Sequence, residues 1–514
     1  MIPLRLGDIA AITGGELVDG AEPDTMVTGP VEFDSRNVSA GSLFICLPGA
    51  RVDGHDFAGI AVDQGAVACL EGHRTGQPGI LVDNSDADEL SDSATSYVLE
   101  ADNTGEGQAV ITALSKLARA HTKKAVEENG LTVIGVTGSA GKTSTKDLIA
   151  SVLRQAGETV APPGSFNNEL GHPYTALKVG EHTTYLVSEL SARAIGNIAH
   201  LARIAPPRIG AVLNVGTAHI GEFGSKENIA QAKGELVEAL PPAADGGVAV
   251  LNADDPLVIG MRNRTSARIV TFGMDNPATV RAENVELDAV ARAAFTLCIE
   301  GEKARRIQLR VFGRHQVYNA LAAAAVGHAA GLDCESIADA LSEHVSSSEY
   351  RMDVRTRADG VTVINDSYNA NPDSMRAGID ALAFTASGRE DCHSWAVLGS
   401  MGELGDDSLT EHAALAEVLY NRHVDNLVAV GDNTAMGALA LEARRYGVNT
   451  EVVSTTQEAA DIVLRHLKPG DVVLVKASNA CGLWAVAHTI LADPAAAGAQ
   501  DLSDSSSSNS REVK

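Results

Sequence analysis

The sequence predicts an α/β protein of three domains: a small α/β N-terminal domain, a central parallel-sheet domain and a Rossmann-like C-terminal domain. Three observations carry that expectation. A chain of 514 residues holds about three domains at roughly 150 residues each. Short β-branched runs alternate with Ala-rich helical stretches, which is the βαβ rhythm of a parallel sheet. Aromatic residues make up only 4% of the chain and apolar residues 45%, which suits Val- and Ile-rich strands packed under small-residue helices.

The first block, 1–104, carries apolar runs at Ser42–Leu47, Ala66–Leu70 and Gly79–Val82, broken by Gly, Pro and Asp. They read as strands of a small α/β domain. Asp83–Asp92 holds five carboxylates and no Lys or Arg, and reads as a solvated loop. The central block, 105–345, opens with a helical stretch, Gln108–Ala120. Strand runs follow at Leu131–Val136, Thr184–Glu189, Ile209–Asn214 and Gly247–Asn252. The third block, 346–493, repeats the alternation at Val361–Asn365, Trp395–Gly399, Asn426–Gly431 and Asp471–Lys476. Residues 494–514 are polar and Ser-rich, too poor in apolar groups to offset their ordering entropy, and are expected to be disordered.

Lys and Arg number 40 against 67 Asp and Glu, a formal net charge of −27. A nucleic-acid surface needs clustered cations, so that class is excluded. The six cysteines are scattered without a CxxC, which speaks against a zinc ribbon and for reduced thiols in a cytoplasm. Neither a signal peptide nor an apolar run of about 18 residues is found, so membrane insertion is not expected.

The most informative segment is TVIGVTGSAGKTSTKDLIASVL, Thr132–Leu153. A strand ends, a Gly-rich turn follows, and Lys142-Thr143 open a helix. Gly138, Ser139, Ala140 and Gly141 form a loop whose N–H groups can face one anion, reinforced by the helix N-terminus at Lys142, Thr143 and Ser144. Lys142 can reach β/γ-phosphates and the Thr143 hydroxyl can ligate Mg²⁺. The usual first glycine falls at Val136, so this is the shorter form of the loop. Kinase, ATP-driven ligase and mechanical NTPase all remain open on this loop alone.

Three later residues bear on that choice. Glu189 ends a parallel strand, at the edge where ligands of such sheets bind, and could hold Mg²⁺. His219 follows the next strand at the same rim, and Lys233 lies on the helix QAKGELVEAL. Singly, His219 also reads as a satisfied loop histidine and Lys233 as a solvated helix residue.

With TGSAGKTSTK, SFNNELGHPYTAL (Ser165–Leu177), NVGTAHIGEFGS, AKGE, NADDP (Asn252–Pro256) and GRHQVYNALAAAA (Gly313–Ala325), the chain resembles the Mur ligases. These are cytoplasmic ATP-dependent amide-forming enzymes of peptidoglycan precursor synthesis. In the third block, INDSYNANPDSM (Ile364–Met375) and VLGSMGELG (Val397–Gly405) resemble the member that adds D-alanyl-D-alanine to a UDP-N-acetylmuramoyl tripeptide. The DNPR-type string of the diamino-acid-adding member is absent. FDSRNVSAGSLFICLPGARVDGHDF (Phe33–Phe57) resembles the family's uridine-nucleotide segment. Near the C-terminus Ala477, Asn479 and Trp484 stand where the family usually has Gly, Arg and Glu.

The resemblance implies ATP and two Mg²⁺ ions, with an acyl phosphate formed on the tripeptide before the dipeptide amine attacks. It implies that Thr143 and Glu189 hold one ion, and that His219 and a carbamylated Lys233 hold the other. Asn252, Asp255, His315 and Asn319 are expected beside the adenine, with Arg351 and Asp366 on phosphate and ribose. Asp34, Ser35 and Arg36 are expected on the uridine diphosphate, and Asn167 and Asn168 are expected to bind substrate. Tyr368, Asn369, Asn371, Pro372, Ser374 and Lys476 are expected around the dipeptide. The protein is expected to act as a monomer.

Overall fold

The computed structural model describes residues 1–49, 52–83, 102, 104–216, 220–288, 290–345, 348–389 and 391–492. The expectations for the acidic stretch beyond Asp83 and for the tail 494–514 lie outside those residues.

Three sheets succeed one another along the chain. The first has five strands in the order Glu16–Val18, Gly79–Leu81, Ala66–Glu71, Ser42–Ile45, Val31–Glu32, parallel except for the first pair. The second has nine, and its parallel part runs Arg268–Gly273, Val248–Asn252, Ile209–Val212, Thr132–Thr137, Tyr185–Glu189, Thr159–Val160. The third has six, in the order Asp353–Thr356, Thr362–Asn365, Val472–Lys476, Ser394–Leu398, Asn426–Val430, Asn449–Val453, antiparallel only at its first pair. The expected strand runs of all three blocks carry strands, shifted by a residue or two at their ends. The central strands are buried throughout because helices cover both faces, which is why they read as unbroken apolar runs.

The sequence reading missed an antiparallel ribbon, Val280–Leu287, Arg292–Ile299 and Arg305–Phe312, that completes the nine-stranded sheet. Its residues alternate between buried and exposed (Ala293, Phe295, Leu297 and Ile299 point inward), so one face is wet and no continuous apolar run marks it. The inner face packs on helix Gln316–Ala329.

Helix Glu106–Asn129 is longer than the stretch read from sequence and ends at Gly130, whose φ of 71° makes a left-handed C-cap. Its Val110, Leu114 and Leu117 share one apolar core with Leu43, Leu70 and Ile80 of the first sheet and Leu186 and Leu236 of the second unit. Tyr174 Oη donates to Glu32 at 2.9 Å across the same junction. The third sheet has separate cores on its two faces, and it meets the central unit across a cleft.

Candidate active site

The strand order reverses direction at Thr132–Thr137, which lies between Tyr185–Glu189 and Ile209–Val212. The carboxyl ends of these parallel strands therefore open a crevice at a topological switch point. The loop 138–141 turns there into helix Lys142–Leu153. Gly141 has φ 81°, and a Cβ on it would lie 2.5 Å from Asn319 Oδ1. Only glycine satisfies both demands. Asn319 comes this close because the Ala-rich helix Gln316–Ala329 packs directly on Lys142–Leu153. Gly141→Ala is expected to weaken ATP binding at least about tenfold, since a left-handed non-glycine residue costs about 1–2 kcal/mol before Asn319 is displaced. Calorimetric ATP titration measures this, and unchanged affinity would remove the contact from the site.

The structure divides the loop amides differently from the sequence reading. Ser139 N–H donates to Asn214 O at 3.1 Å and Ala140 N–H to Asn214 Oδ1 at 2.9 Å. Those two donors staple the loop to the next strand. An anion is left the first-turn N–H groups of Lys142, Thr143 and Ser144, which have no intrahelical acceptor. Lys142 Nζ donates to Gly138 O at 2.8 Å, and burial pulls its pKa down against the opposing pull of Glu189.

Glu189 is buried, and its Oε1 accepts from Asn167 Nδ2 at 2.7 Å. Its Oε2 is buried without a hydrogen-bond partner among the described residues. A lone buried carboxylate oxygen is costly unless a cation meets it, and the Thr143 hydroxyl supplies a second hard donor on the same wall. This donor set fits Mg²⁺. Lys233 is buried on helix Lys226–Glu238, with neither hydrogen bond nor ion pair among the described residues. Burial first, then the Lys142 charge, hold its pKa well below the usual lysine range, which favours the neutral amine. His219 lies outside the described residues.

The cleft has a volume of about 710 Å³ and is lined from both sides. Its central wall carries Ser139 to Ser144, Asn167, Asn168, Glu189, Asn252, His315 and Asn319, and its other wall Arg351, Asp366, Tyr368, Asn369, Asn371, Ser374 and Lys476. Gly138, Lys233, Asp255 and Pro372 do not line it, nor do Asp34, Ser35 and Arg36. Arg36 is exposed and paired with Asp34 at 2.6 Å. That loop adjoins Phe33, whose ring stacks at 6.4 Å on Phe166, next to Asn167.

Several residues expected on ligands also have structural partners in this fold. Asp255 caps helix Pro256–Gly260 through Leu257 N and Val258 N on Oδ1 and accepts from Val215 N on Oδ2, so its carboxylate holds the strand end behind the wall. Asn252 spends its amide on Leu213 O and Asp254 N. Lys476 is buried, donating to the Asp366 carboxylate and to Asn369 O, so its charge holds the 366–369 loop. Asn371 and Ser374 form a reciprocal capping box on helix Pro372–Ser387.

Other cleft residues escaped the sequence reading. Ser165 Oγ lies 3.0 Å from Thr143 Oγ1 and accepts from the Arg351 guanidinium at 2.7 Å. Arg193 meets Glu403 at 2.6 Å across the cleft. Ser165 and Glu403 lie inside recognised strings, Arg193 follows Glu189 closely and Arg351 was itself expected in the site, but long-range pairing leaves no periodic mark. Asn479 lines the cleft, whereas Trp484 stacks on Tyr350 at 5.9 Å.

Three family models match the chain: Mur ligase family, catalytic domain, over residues 30–100; Mur ligase middle domain over 136–327; and Mur ligase, glutamate ligase domain, over 350–479. The chain is 50% identical to the UDP-N-acetylmuramoyl-tripeptide–D-alanyl-D-alanine ligase of Mycobacterium tuberculosis over 96% of its own length and 98% of that protein's. It is 32% identical to the ligase of the same name from Bacillus subtilis, over 96% and 100%. Among solved structures, MurF from Acinetobacter baumannii superposes with a TM-score of 0.79 at 28% identity, covering 96% of this chain and 99% of that one. MurF ligase from Thermotoga maritima in complex with ADP gives 0.69 at 27% identity, covering 90% and 97%.

Proposed function

The chain belongs to the Mur ligase family, and on that premise we propose that its cleft joins D-alanyl-D-alanine to UDP-N-acetylmuramoyl-tripeptide, driven by ATP, in peptidoglycan precursor synthesis. One observation supports this above the others: the free amides of the Lys142 helix, Lys142 itself and the unpartnered Glu189 oxygen all border one cleft. Its far wall is the loop Ile364–Met375.

The tripeptide carboxylate attacks the γ-phosphorus of ATP, ADP departs, and an acyl phosphate forms. The dipeptide ammonium gives up a proton to solvent, the free amine attacks the acyl carbon, and phosphate leaves as the nitrogen sheds its second proton. Anion meets anion in the first step, so catalysis rests on charge neutralisation and positioning. Lys142 and the first-turn amides hold the β/γ-phosphates. Asn319 and Asn214 keep the loop in shape for them. Thr143 and Glu189 would hold one Mg²⁺, and His219 with Lys233 a second. Bound there, Mg²⁺ supplies the positive charge that lets the two anions approach. The first sheet, within 1–104, takes the uridine diphosphate through Asp34, Ser35 and Arg36, 105–345 takes ATP and 346–493 the acceptor. No described helix is long and apolar enough to cross a membrane, and we place the work in the cytoplasm, by a monomer. Phosphate release that requires tripeptide and dipeptide together tests the reading.

Lys233 has its own test. A neutral buried amine can add CO₂ and lose a proton, giving a carbamate anion beside the second ion site. Lys233→Ala is expected to be inactive and to recover partly with formate or acetate. Absence of recovery, with an unmodified lysine under ¹³CO₂ by NMR, would remove the carbamate.

A further inference from the structure

The dipeptide acceptor is a zwitterion, and its ammonium needs an anionic partner where it waits beside the acyl phosphate. Asn371 and Ser374, expected to grip the acceptor, are committed to their capping box. Among the carboxylates that line the cleft, Glu189 and Glu169 stand on the central wall. Asp366 is neutralised by Lys476. Asp373 sits in the first helical turn against Gly216, 3.6 Å from Arg376. Glu403 is ion-paired as well, with Arg193, and is set apart by its place in the cleft and by its backbone. It stands on the acceptor wall, in the loop after strand Ser394–Leu398, and its charge reaches Lys142 at the phosphate end. Its φ is 61°, a left-handed conformation that costs a non-glycine residue about 1–3 kcal/mol. Glycine occupies the two nearby positions 402 and 405, yet the strained position itself carries an acid. Arg193 holds one carboxylate oxygen at 2.6 Å and so sets the direction of the group.

We propose that Glu403 receives the ammonium of the incoming D-alanyl-D-alanine, with Arg193 as the positioning residue that aims its carboxylate. The inference rests on the acceptor assignment above. Glu403 thereby selects acceptors with a free amino terminus and holds the nitrogen on the acyl-phosphate side of the cleft.

Steady-state kinetics of the full chain with ATP, UDP-N-acetylmuramoyl-tripeptide and D-alanyl-D-alanine test this. Glu403→Gln keeps size and backbone but removes the charge. It is expected to raise KM for the dipeptide about 10- to 100-fold, the worth of a hydrogen bond to a charged group. KM for ATP and for the tripeptide should stay within about twofold, Glu403→Asp should recover part of the loss, and Arg193→Gln should raise the dipeptide KM less. Unchanged dipeptide KM in Glu403→Gln overturns the proposal. So do equal rises in all three KM values in both Glu403→Gln and Arg193→Gln, which would make the pair a mere interdomain latch. Wild-type protein without dipeptide-dependent turnover would overturn both the functional reading and this one, and is recognised before any variant is made.

Discussion

Lys142→Ala is expected to lower kcat for ATP-dependent amide formation by about 10³-fold or more while the protein stays folded. The charge stands at the end of the phosphate loop, where negative charge spreads over the transferring phosphoryl group. Removing one such preorganised donor typically costs 10²–10³-fold on its own. Here the same ammonium also spans the loop to Gly138 O at 2.8 Å. Losing that bond costs the fold about 1 kcal/mol, and removing a desolvated charge returns part of it. The melting temperature should therefore move only slightly. Phosphate release and a thermal melt on the same preparation decide the matter. Near-normal turnover by a folded Lys142→Ala protein would end the phosphate-loop assignment.

Exchange of the acceptor is expected to have the second large effect. D-alanyl-D-alanine with the UDP-muramoyl tripeptide should release phosphate. Meso-diaminopimelate or lysine with the dipeptide precursor should do so at a rate lower by about 10⁴-fold, the discrimination a site built on hydrogen bonds can reach. The loop Ile364–Met375, proposed to meet the acceptor, lacks the DNPR-type arginine that would pair with the extra carboxylate of a diamino acid. Its Asn371 and Ser374 are locked into the helix cap, so the loop cannot rearrange freely to create a new site. Lys476 further pins it through Asp366 and Asn369. Efficient turnover of the diamino acid, with none of the dipeptide, would move the chain to the neighbouring ligation step and leave the ATP chemistry intact.

The parts of this protein that were legible in its sequence are those whose physics is local. Thr132–Leu153 spells strand, glycine turn and helix within one window, because a phosphate loop needs its donors contiguous. Buried parallel strands announce themselves as apolar runs, and both α/β units were readable for that reason. The antiparallel ribbon 280–312 was missed because half its side chains face water. Polar residues in the site divided along the same line. Glu189 stood out by ending a strand, yet nothing nearby in sequence told that Asn167 would occupy one of its oxygens and that the other would meet no donor among the described residues. Asp255, Asn371 and Ser374 carry the side chains of ligand contacts, and only folded geometry showed those groups spent on helix caps. Ser165 with Arg351 and Arg193 with Glu403 join residues 186 and 210 positions apart. A charge or hydroxyl reads the same in a sequence whether water or a partner satisfies it. Residue order determined the glycine turn and helix start proposed to hold phosphate, and the packing of the third sheet against the second decided which polar groups line the cleft.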